Sequence, residues 1–420
     1  MKKNTSFFIA IRYLWGRAHE GVRYLRGAAA GIAVSLIPIM VTLIVADGMI
    51  RGIIDRYLEL GTGHIQITDN SQNNEDEIKK LLIENVYEIK GIWFEKKGMG
   101  IIAGLNGKTG VTVRAIESSF WDDLKSASLL KIIDGVNKPL LNSDIILGET
   151  LADNIGVQVG DDIRLMTIRS RESGVAPGIN KFTVKGIISC GYNELDALLC
   201  ITNWEGGKRI FSSDQIPTNY LVKIDDPYKN TEKIEIEILE ALGSGYKIET
   251  WKEMLQSQYT SYETTRQLLL FIMALVVVVA AVNVSSATSM LVLERQRDIA
   301  VLKVSGASVK GITAVFIWGS FLTGLTGSII GISIGLLLGY NINIIIRSLE
   351  NVLSAISGFF NGTEVKILDP GFYLETIPIV IDWNAVLVIA LFAILCSVAA
   401  SWIPARKAGK LKPMELLRKT

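Results

Sequence analysis

The sequence predicts a membrane protein of four transmembrane α-helices, one followed by three, with a large α+β domain inserted between the first and second spans. Asp, Glu, Lys and Arg are absent from positions 27–46, 267–293, 311–346 and 383–405. Each of these stretches reaches the roughly 20 residues that a helix needs to cross a bilayer. The chain as a whole is nevertheless 20% charged, so the intervening segments are expected to face water.

The first span is expected to remain as a membrane anchor. It lies too far from the N-terminus and is too long to be a cleaved signal peptide. Pro38 interrupts it, which a membrane helix tolerates when its neighbours satisfy the freed carbonyl group. Residues 1–26 combine Phe7 and Phe8 with scattered basic residues, which predicts an amphipathic segment on the inner membrane surface.

Basic residues predict the orientation, because they are retained on the cytoplasmic side. Segments 1–26 and 406–420 each hold six basic residues and one acidic residue. Segment 294–310 holds four basic and two acidic residues, whereas segment 347–382 holds two basic and five acidic residues. Both termini and segment 294–310 are therefore predicted to be cytoplasmic, and segments 47–266 and 347–382 are predicted to lie outside.

The outer region 47–266 is predicted to fold as a mixture of strands and helices in irregular order. Asn106-Gly107 predicts a hairpin turn, because this dipeptide readily adopts positive φ angles. A helix is predicted to begin near Glu149 and to be closed by Gly156, with a tight turn at Gly160. Further strands are predicted at 64–68, 182–188 and 197–202, and further helices at 75–84, 204–211 and 227–242.

Segment 294–310 is a charged amphipathic island between two uncharged runs, which predicts a short helix docked on a soluble partner. In the third span, small residues recur every fourth position and predict close approach of a neighbouring helix. They are Gly319, Thr323, Gly327, Gly331, Gly335 and Gly339. A pore is disfavoured because the four spans hold no internal ionisable residue.

Several kinds of site are excluded or disfavoured. The segment Gly104–Thr109 lacks the first glycine of a phosphate-binding loop, so the chain is not expected to be an ATPase. An enzyme site in the outer domain is one rival function, and no pairing of a nucleophile with a base supports it. Its two histidines, His19 and His64, fall on opposite sides of the predicted membrane and cannot share a metal. Cys190 and Cys200 are ten residues apart, a spacing compatible with paired strands, so both a disulfide and two free thiols remain open.

The island Glu294–Ala307 resembles the coupling-helix signature of the MacB/FtsX-type permeases of ABC transporters. Segments 403–408 and 413–417 resemble their C-terminal signature, and 149–161 resembles a stretch of their periplasmic domain. Segments 8–14, 63–67 and 369–380 are similar to the lipoprotein-release permeases of the LolC/LolE type. Together these segments are spread over nearly the whole chain.

The resemblance implies a multi-pass permease of the bacterial inner membrane that extracts acylated lipoproteins and passes them to a periplasmic carrier. It implies pairing with a second permease, homologous or identical, and with two copies of a cytoplasmic ATPase. ATP and Mg²⁺ would be bound by that ATPase, no cofactor by this chain, and no nucleic acid is involved. The alternative is a MacB/FtsX-type permease that transmits motion to drive efflux or to activate a cell-wall hydrolase.

Three groups of site residues follow from this resemblance. In the island, Ile299 and Leu302 are expected to contact an apolar groove of the ATPase. Gly306 is expected to end the helix. Polar contacts around the groove are expected from Glu294, Arg295, Arg297, Asp298 and Lys303. Residues proposed to line a lipoprotein cavity are Ile37, Met40, Val41 and Ile44 of the first span and Phe271, Leu275 and Val278 of the second, although ordinary helix packing explains them equally well.

The third group lies in the segment 169–180, a predicted carrier-docking loop with Arg169, Arg171, Pro177 and Gly178. Family members that recruit the carrier present a protruding hairpin at this position. The sequence of this segment is only loosely similar to theirs, and a plain surface loop remains open. Whether the chain recruits the carrier, receives the cargo or does both as a homodimer also remains open.

Overall fold

A computed structural model describes residues 20–69, 75–171, 174–211, 216–243, 245–359 and 376–411, together with positions 8, 10 and 374. The chain forms two compact units. One contains the long helices, and the other, termed the sheet domain, is formed mainly by Met49–Ser261.

Among the described residues, four helices are long and apolar enough to cross a membrane. They are α1 (Glu20–Tyr57), α9 (Gln256–Glu294), α11 (Val309–Tyr340) and α13 (Trp383–Lys410). Two further helices, α10 (Gln296–Val304) and α12 (Ile342–Phe359), stand directly before and after α11. The order of one span, a mixed sheet and three spans confirms the predicted fold class.

The third hydrophobic run contains the end of one helix and the start of another. The uncharged stretch continues to position 346, but α11 ends at Tyr340 and α12 begins at Ile342. The first turn of α12 is itself apolar, so hydropathy could not mark the break. Beyond it, the segment 347–382 was predicted as a loop, yet α12 continues through it to Phe359.

The sheet domain contains ten strands joined in one sheet. The strands are β1 (Ile65–Asp69), β2 (Ile89–Ala103), β3 (Lys108–Ile116), β4 (Lys131–Gly135), β5 (Asp144–Gly148), β6 (Asp162–Arg171), β7 (Gly174–Ser189), β8 (Leu199–Asn203), β9 (Thr218–Ile224) and β10 (Lys247–Thr250). The short helices are α2 (Glu75–Asn85), α3 (Leu124–Leu129), α4 (Glu149–Ile155), α5 (Asn193–Asp196), α6 (Trp204–Ile210), α7 (Thr231–Leu242) and α8 (Trp251–Met254).

Six of these strands close into a small barrel. The pairings run β2-β3-β8-β5-β7, and β6 then joins β7 back to β2. Buried side chains such as Ile102, Val113, Leu165, Val184 and Cys200 form its core. A barrel of this size is filled by its inward side chains and has no room for a channel.

Of the four remaining strands, β4 pairs with β7, and the other three extend the sheet beyond the barrel in the order β10-β1-β9-β2. The helices α2 and α7 cover this part, and Ile78, Leu82, Ile234 and Ile238 pack onto the strands in a second core. Helix α7 was predicted to begin at Pro227, but it begins at Thr231 because Asn230 adopts a left-handed conformation with φ of 57°.

The turns predicted from glycine occur, one of them with a different backbone conformation. Strands β2 and β3 form a hairpin around Asn106-Gly107, but neither residue has the positive φ expected of this dipeptide. Gly156 ends α4 with φ of 67°, and Gly160 has φ of 100°. Positive φ values favour glycine because a side chain there meets the backbone.

Cys190 and Cys200 are free and buried. They do not lie on paired strands, because β5 lies between β7 and β8 in the sheet, and two strand spacings of roughly 4.8 Å exceed the reach of a disulfide. Burial raises the pKa of both thiols, that of Cys200 to about 12, so both are weakly reactive.

Candidate functional site

The glycine ridge of the third span packs directly against the first span. A Cβ atom added to Gly331 would lie 2.7 Å from the carbonyl oxygen of Ala33, and one added to Gly335 would lie 2.6 Å from Cβ of Met40. Gly327 and Gly339 make similar contacts with the same helix. The predicted close approach therefore occurs, and α1 is the partner.

This packing buries two of the residues that were predicted to line a cavity. Met40 and Ile44 are 0% and 1% exposed, and they contact Gly335 and Gly339 of α11. In this structure they fill the α1–α11 interface and are closed to any ligand. Ile37 and Val41, on the adjoining part of α1, are partly exposed.

The predicted residues of the second span have the opposite environment. Phe271, Leu275 and Val278 are 62%, 51% and 46% exposed, while Val277 and Val284 of the same helix pack against α1. The gap between these packed faces measures only about 10 Å³, too small for a lipid chain. A lipid chain therefore has no room between α1 and α9, whereas Phe271, Leu275 and Val278 are open to contact on the outward surface of α9.

Three charged residues join the ends of three spans. Arg266 Nε donates to Asp47 Oδ1 at 2.7 Å, and Arg266 Nη2 donates to Asp382 Oδ2 at 2.8 Å. Asp382 also caps α13, since its Oδ1 accepts from the N–H groups of Asn384 and Ala385. This group, termed the Arg266 clamp, ties α1, α9 and the start of α13 together.

The island forms α10, and its inner face packs on the chain's own helices. Ile299 is 1% exposed and contacts Leu25, Leu291 and Phe316. Val301 and Val304 are 62% and 72% exposed. The prediction that Ile299 faces a partner is therefore wrong, because periodicity identifies an apolar face without telling which neighbour covers it. Leu302 is only partly exposed.

The polar residues of the island have separate roles. Arg295 Nη1 contacts Asp298 Oδ2 at 3.0 Å, and Lys303 donates to the carbonyl oxygen of Leu411. Gly306 ends the helix with φ of 89°. Glu294 and Arg297 are exposed beside Val301. The surface that α10 presents outward is therefore a pair of valines with charged neighbours.

The predicted carrier-docking loop is instead the end of a β-hairpin. The strands β6 and β7 remain paired as far as Arg171 and Gly174, so Pro177 and Gly178 lie inside β7. Strand β6 leaves β2 after Thr167, and the last pairs join only the two hairpin strands. The side chains of Arg169 and Arg171, like segments 1–7, 11–19, 360–373 and 412–420, lie outside the described residues.

A buried cluster of charges, termed the Glu59 cluster, surrounds the π-helical turn Leu58–Thr62 that follows α1. Glu59 is contacted by Lys125 at 2.5 Å and by Lys223 at 2.8 Å. His64 Nδ1 accepts from the N–H of Ile224, so its Nε2 carries a proton and donates to Glu59 Oε1 at 3.2 Å. Lys223 also contacts Asp123 at 2.6 Å.

Comparisons with known proteins agree with this architecture. Residues 270–413 match the FtsX-like permease C-terminal family. The chain is 26% identical to the lipoprotein-releasing system transmembrane protein LolC of Neisseria meningitidis serogroup B, over 98% of both chains. It is 27% identical to LolE of Haemophilus influenzae, over 99% of both chains.

The C-terminal part of the chain therefore matches the FtsX-like permeases, and the chain as a whole is similar to the LolC and LolE transmembrane proteins. Among solved structures, the periplasmic region of MacB from Actinobacillus actinomycetemcomitans is similar to it, with 14% identity and a TM-score of 0.30. That alignment covers 47% of this chain and 94% of the MacB chain.

Sequence reasoning missed the Arg266 clamp and the Glu59 cluster in this permease. A signal for the clamp was available, because Asp47, Arg266 and Asp382 each stand at the border of an uncharged run. The Glu59 cluster gave no such signal. Its members are spread from position 59 to position 223, and only the sheet pairing brings them together.

Replacing Glu59 with glutamine should destabilise the sheet domain. The change removes the shared anion of Lys125, which is half-exposed, and of Lys223, which is largely buried and keeps Asp123. This loss should cost about 2 kcal/mol. The measurement is thermal unfolding of the full-length protein in detergent. Glu205→Gln is the control, because Glu205 forms an exposed pair with Lys208 and its loss should leave the midpoint unchanged.

The same carboxylate should make stability depend on pH. Burial by itself raises the pKa of Glu59, but hydrogen bonds from His64, Lys125 and Lys223 outweigh it and lower the pKa from 4.5 to about 2. A group with a depressed folded-state pKa stabilises the fold above its unfolded pKa and loses that contribution as pH falls. The free energy of unfolding should therefore decrease as the pH is lowered through about 4.5, and it should decrease less in Glu59→Gln. Equal dependence of stability on pH in the two proteins would contradict this.

Proposed function

We propose that this chain is the membrane-spanning subunit of an ATP-driven complex that extracts acylated lipoproteins from the bacterial inner membrane and delivers them to a periplasmic carrier. The observation that carries the proposal is the match to LolC over 98% of both chains. That match includes the sheet domain and the spans together. ATP and Mg²⁺ are bound by a separate cytoplasmic ATPase, and this chain supplies no catalytic residue.

The exposed side of α10 supports the coupling role in this proposal. Val301 and Val304 are spaced by three residues on one helix face, and Arg297 and Asp298 are exposed on the same helix. A small apolar pair rimmed by charges suits a groove in a soluble partner. We place the ATPase at this face and both chain termini on the same, cytoplasmic side.

The outward surface of α9 supports the cargo role. Phe271, Leu275 and Val278 are exposed, and α1 and α9 are packed too closely to admit lipid between them. A cavity for acyl chains then needs a second permease, homologous or identical, facing this surface. We propose that the β6–β7 hairpin is the carrier-docking element, as its position in the chain suggests.

Val301→Asp should abolish coupling. A carboxylate at the centre of an apolar contact has no partner and must be desolvated, so co-purification of the ATPase should fall by roughly tenfold or more. Lipoprotein release from spheroplasts should stop with it. Val301→Thr is the matched control, because it keeps the shape of the side chain and should retain most binding.

Two results would separate the parts of the proposal. Normal co-purification and release with Val301→Asp would remove α10 from the ATPase contact. Lipoproteins that leave the inner membrane at an unchanged rate after depletion of the native chain would contradict the transport function itself. The MacB/FtsX-type alternative would then be favoured.

A further inference from the structure

The outer surface of the barrel carries an apolar depression near the root of the β6–β7 hairpin. Met99, Ile101 and Leu198 are 86%, 46% and 47% exposed, and Met166 is partly exposed beside them. Large apolar side chains grouped on a water-facing surface usually mark a binding site. The barrel core does not require them, because it is filled by the alternate residues of the same strands.

The strand register explains the shape of this depression. Met99 pairs with Thr112, and Ile101 pairs with Gly110 on one side and Met166 on the other. Directly paired residues share a face of the sheet, so these side chains surround Gly110. A Cβ atom on Gly110 would meet no atom within 4 Å, and the resulting cavity measures about 510 Å³.

A second cavity of about 390 Å³ adjoins the first, and Thr112 and Leu198 line both. Its other walls include Tyr57, the last residue of α1, and Leu60 just after it, together with Met254 and Leu255, which precede α9. It is more polar than the first cavity, because Gln66 and Lys97 also line it. The two cavities form one track, termed the acyl track, with an apolar end and a polar end.

We propose that the acyl track holds the fatty acyl chains of a lipoprotein, with their ester groups at the Gln66 and Lys97 end. This assignment rests on the proposed function and adds a binding site for the cargo within the sheet domain. An alkyl chain needs no hydrogen-bond partner, and the flexible methionines 99 and 166 adapt to its shape. The polar end offers hydrogen-bond donors to ester carbonyl groups.

A bound peptide strand fits this surface less well. Such a peptide adds to an exposed sheet edge through its backbone. Here β2 is paired with β3 and with β6 on its two sides over Gly100–Ala103, so the part of β2 that carries Ile101 has no free edge. The surface offers side chains alone, which favours a lipid chain.

The first test is photo-crosslinking in the intact complex in membrane vesicles. A benzophenone amino acid placed at Ile101 should capture lipoprotein carrying radiolabelled palmitate several-fold more than the same group at Leu239. Leu239 is the matched control, because it is 47% exposed, against 46% for Ile101, and lies on α7 of the same domain. Equal capture at both positions, or capture of carrier polypeptide without palmitate, would overturn the assignment.

The second test is a charge placed on the track. Ile101→Glu should slow lipoprotein release by roughly tenfold relative to Leu239→Glu, because a carboxylate disfavours an alkyl chain. ATPase co-purification should be unchanged in both. Equal release by the two variants would reject the acyl track while the proposed function stands, whereas no release by the native complex would reject the proposed function. If Ile101→Glu fails to fold, the crosslinking result decides.

Discussion

Replacing Gly331 with leucine should prevent accumulation of the folded permease in the membrane. A Cβ atom at this position would already lie 2.7 Å from the carbonyl oxygen of Ala33 and 2.9 Å from its Cα atom. Backbone atoms of a packed helix cannot move aside as a flexible side chain can, so the two helices must separate. Separation would also withdraw the neighbouring contacts of Gly327 and Gly335 with the same helix, and each contributes to association through close packing.

The alanine variants give a graded version of this experiment. Gly331→Ala should lower the thermal midpoint of the detergent-solubilised protein, because overpacking costs about 1–3 kcal/mol. Gly319→Ala is the matched control on the same helix and the same ridge, since a Cβ atom there would meet nothing within 4 Å. Its midpoint should stay equal or rise, because alanine favours helix over glycine. Equal losses in the two variants would show that helix packing at Gly331 is not the cause.

Arg266→Glu should disrupt the Arg266 clamp and stop lipoprotein release. The guanidinium of Arg266 now binds the carboxylates of Asp47 and Asp382. The change would replace it with a third carboxylate. Asp47 has a side chain only 10% exposed, so water screens the repulsion poorly. Removing one partner of a buried ion pair lowers the free energy of unfolding by up to about 3–5 kcal/mol. Because Arg266 is partly exposed, we expect a smaller decrease in the free energy of unfolding than this.

A charge swap tests whether the clamp acts as an ion pair. Adding Asp47→Lys to Arg266→Glu restores opposite charges between α1 and α9 and should recover a measurable part of both thermal stability and release. Arg347→Glu is the control, because Arg347 is exposed on α12 of the same unit. No recovery in the double variant, or an equal loss in Arg347→Glu, would count against the clamp.

The sequence predicted the spans well because the membrane imposes one strong requirement, an uncharged run of sufficient length. It predicted close packing of the third span from its glycines, but it could not identify the first span as their partner. Met40 and Ile44 were therefore assigned to a cavity although they face Gly335 and Gly339. Helical spacing defines a face, and the neighbour of that face depends on tertiary contacts.

The sheet domain was harder to predict because its pairings are not local. The barrel closes through β2 and β6, strands separated along the chain by three others. The hairpin was predicted as a loop because proline lacks an N–H donor. Pro177 is accommodated because β7 has β6 on one side there and pairs with β5 only from Thr183 onward, which leaves the proline at an edge.

The contact between α11 and α1 also determines how motion would travel through the spans. Only four residues separate the island helix α10 from α11. Helix α11 in turn packs closely against α1 along its glycines. A displacement of α10 would shift α11, and α1 would follow closely, because Gly327 and Gly331 of α11 lie directly against backbone atoms of α1. The first span would then transmit the displacement of α11. The outward surface of α9 stays exposed and would remain available to the cargo.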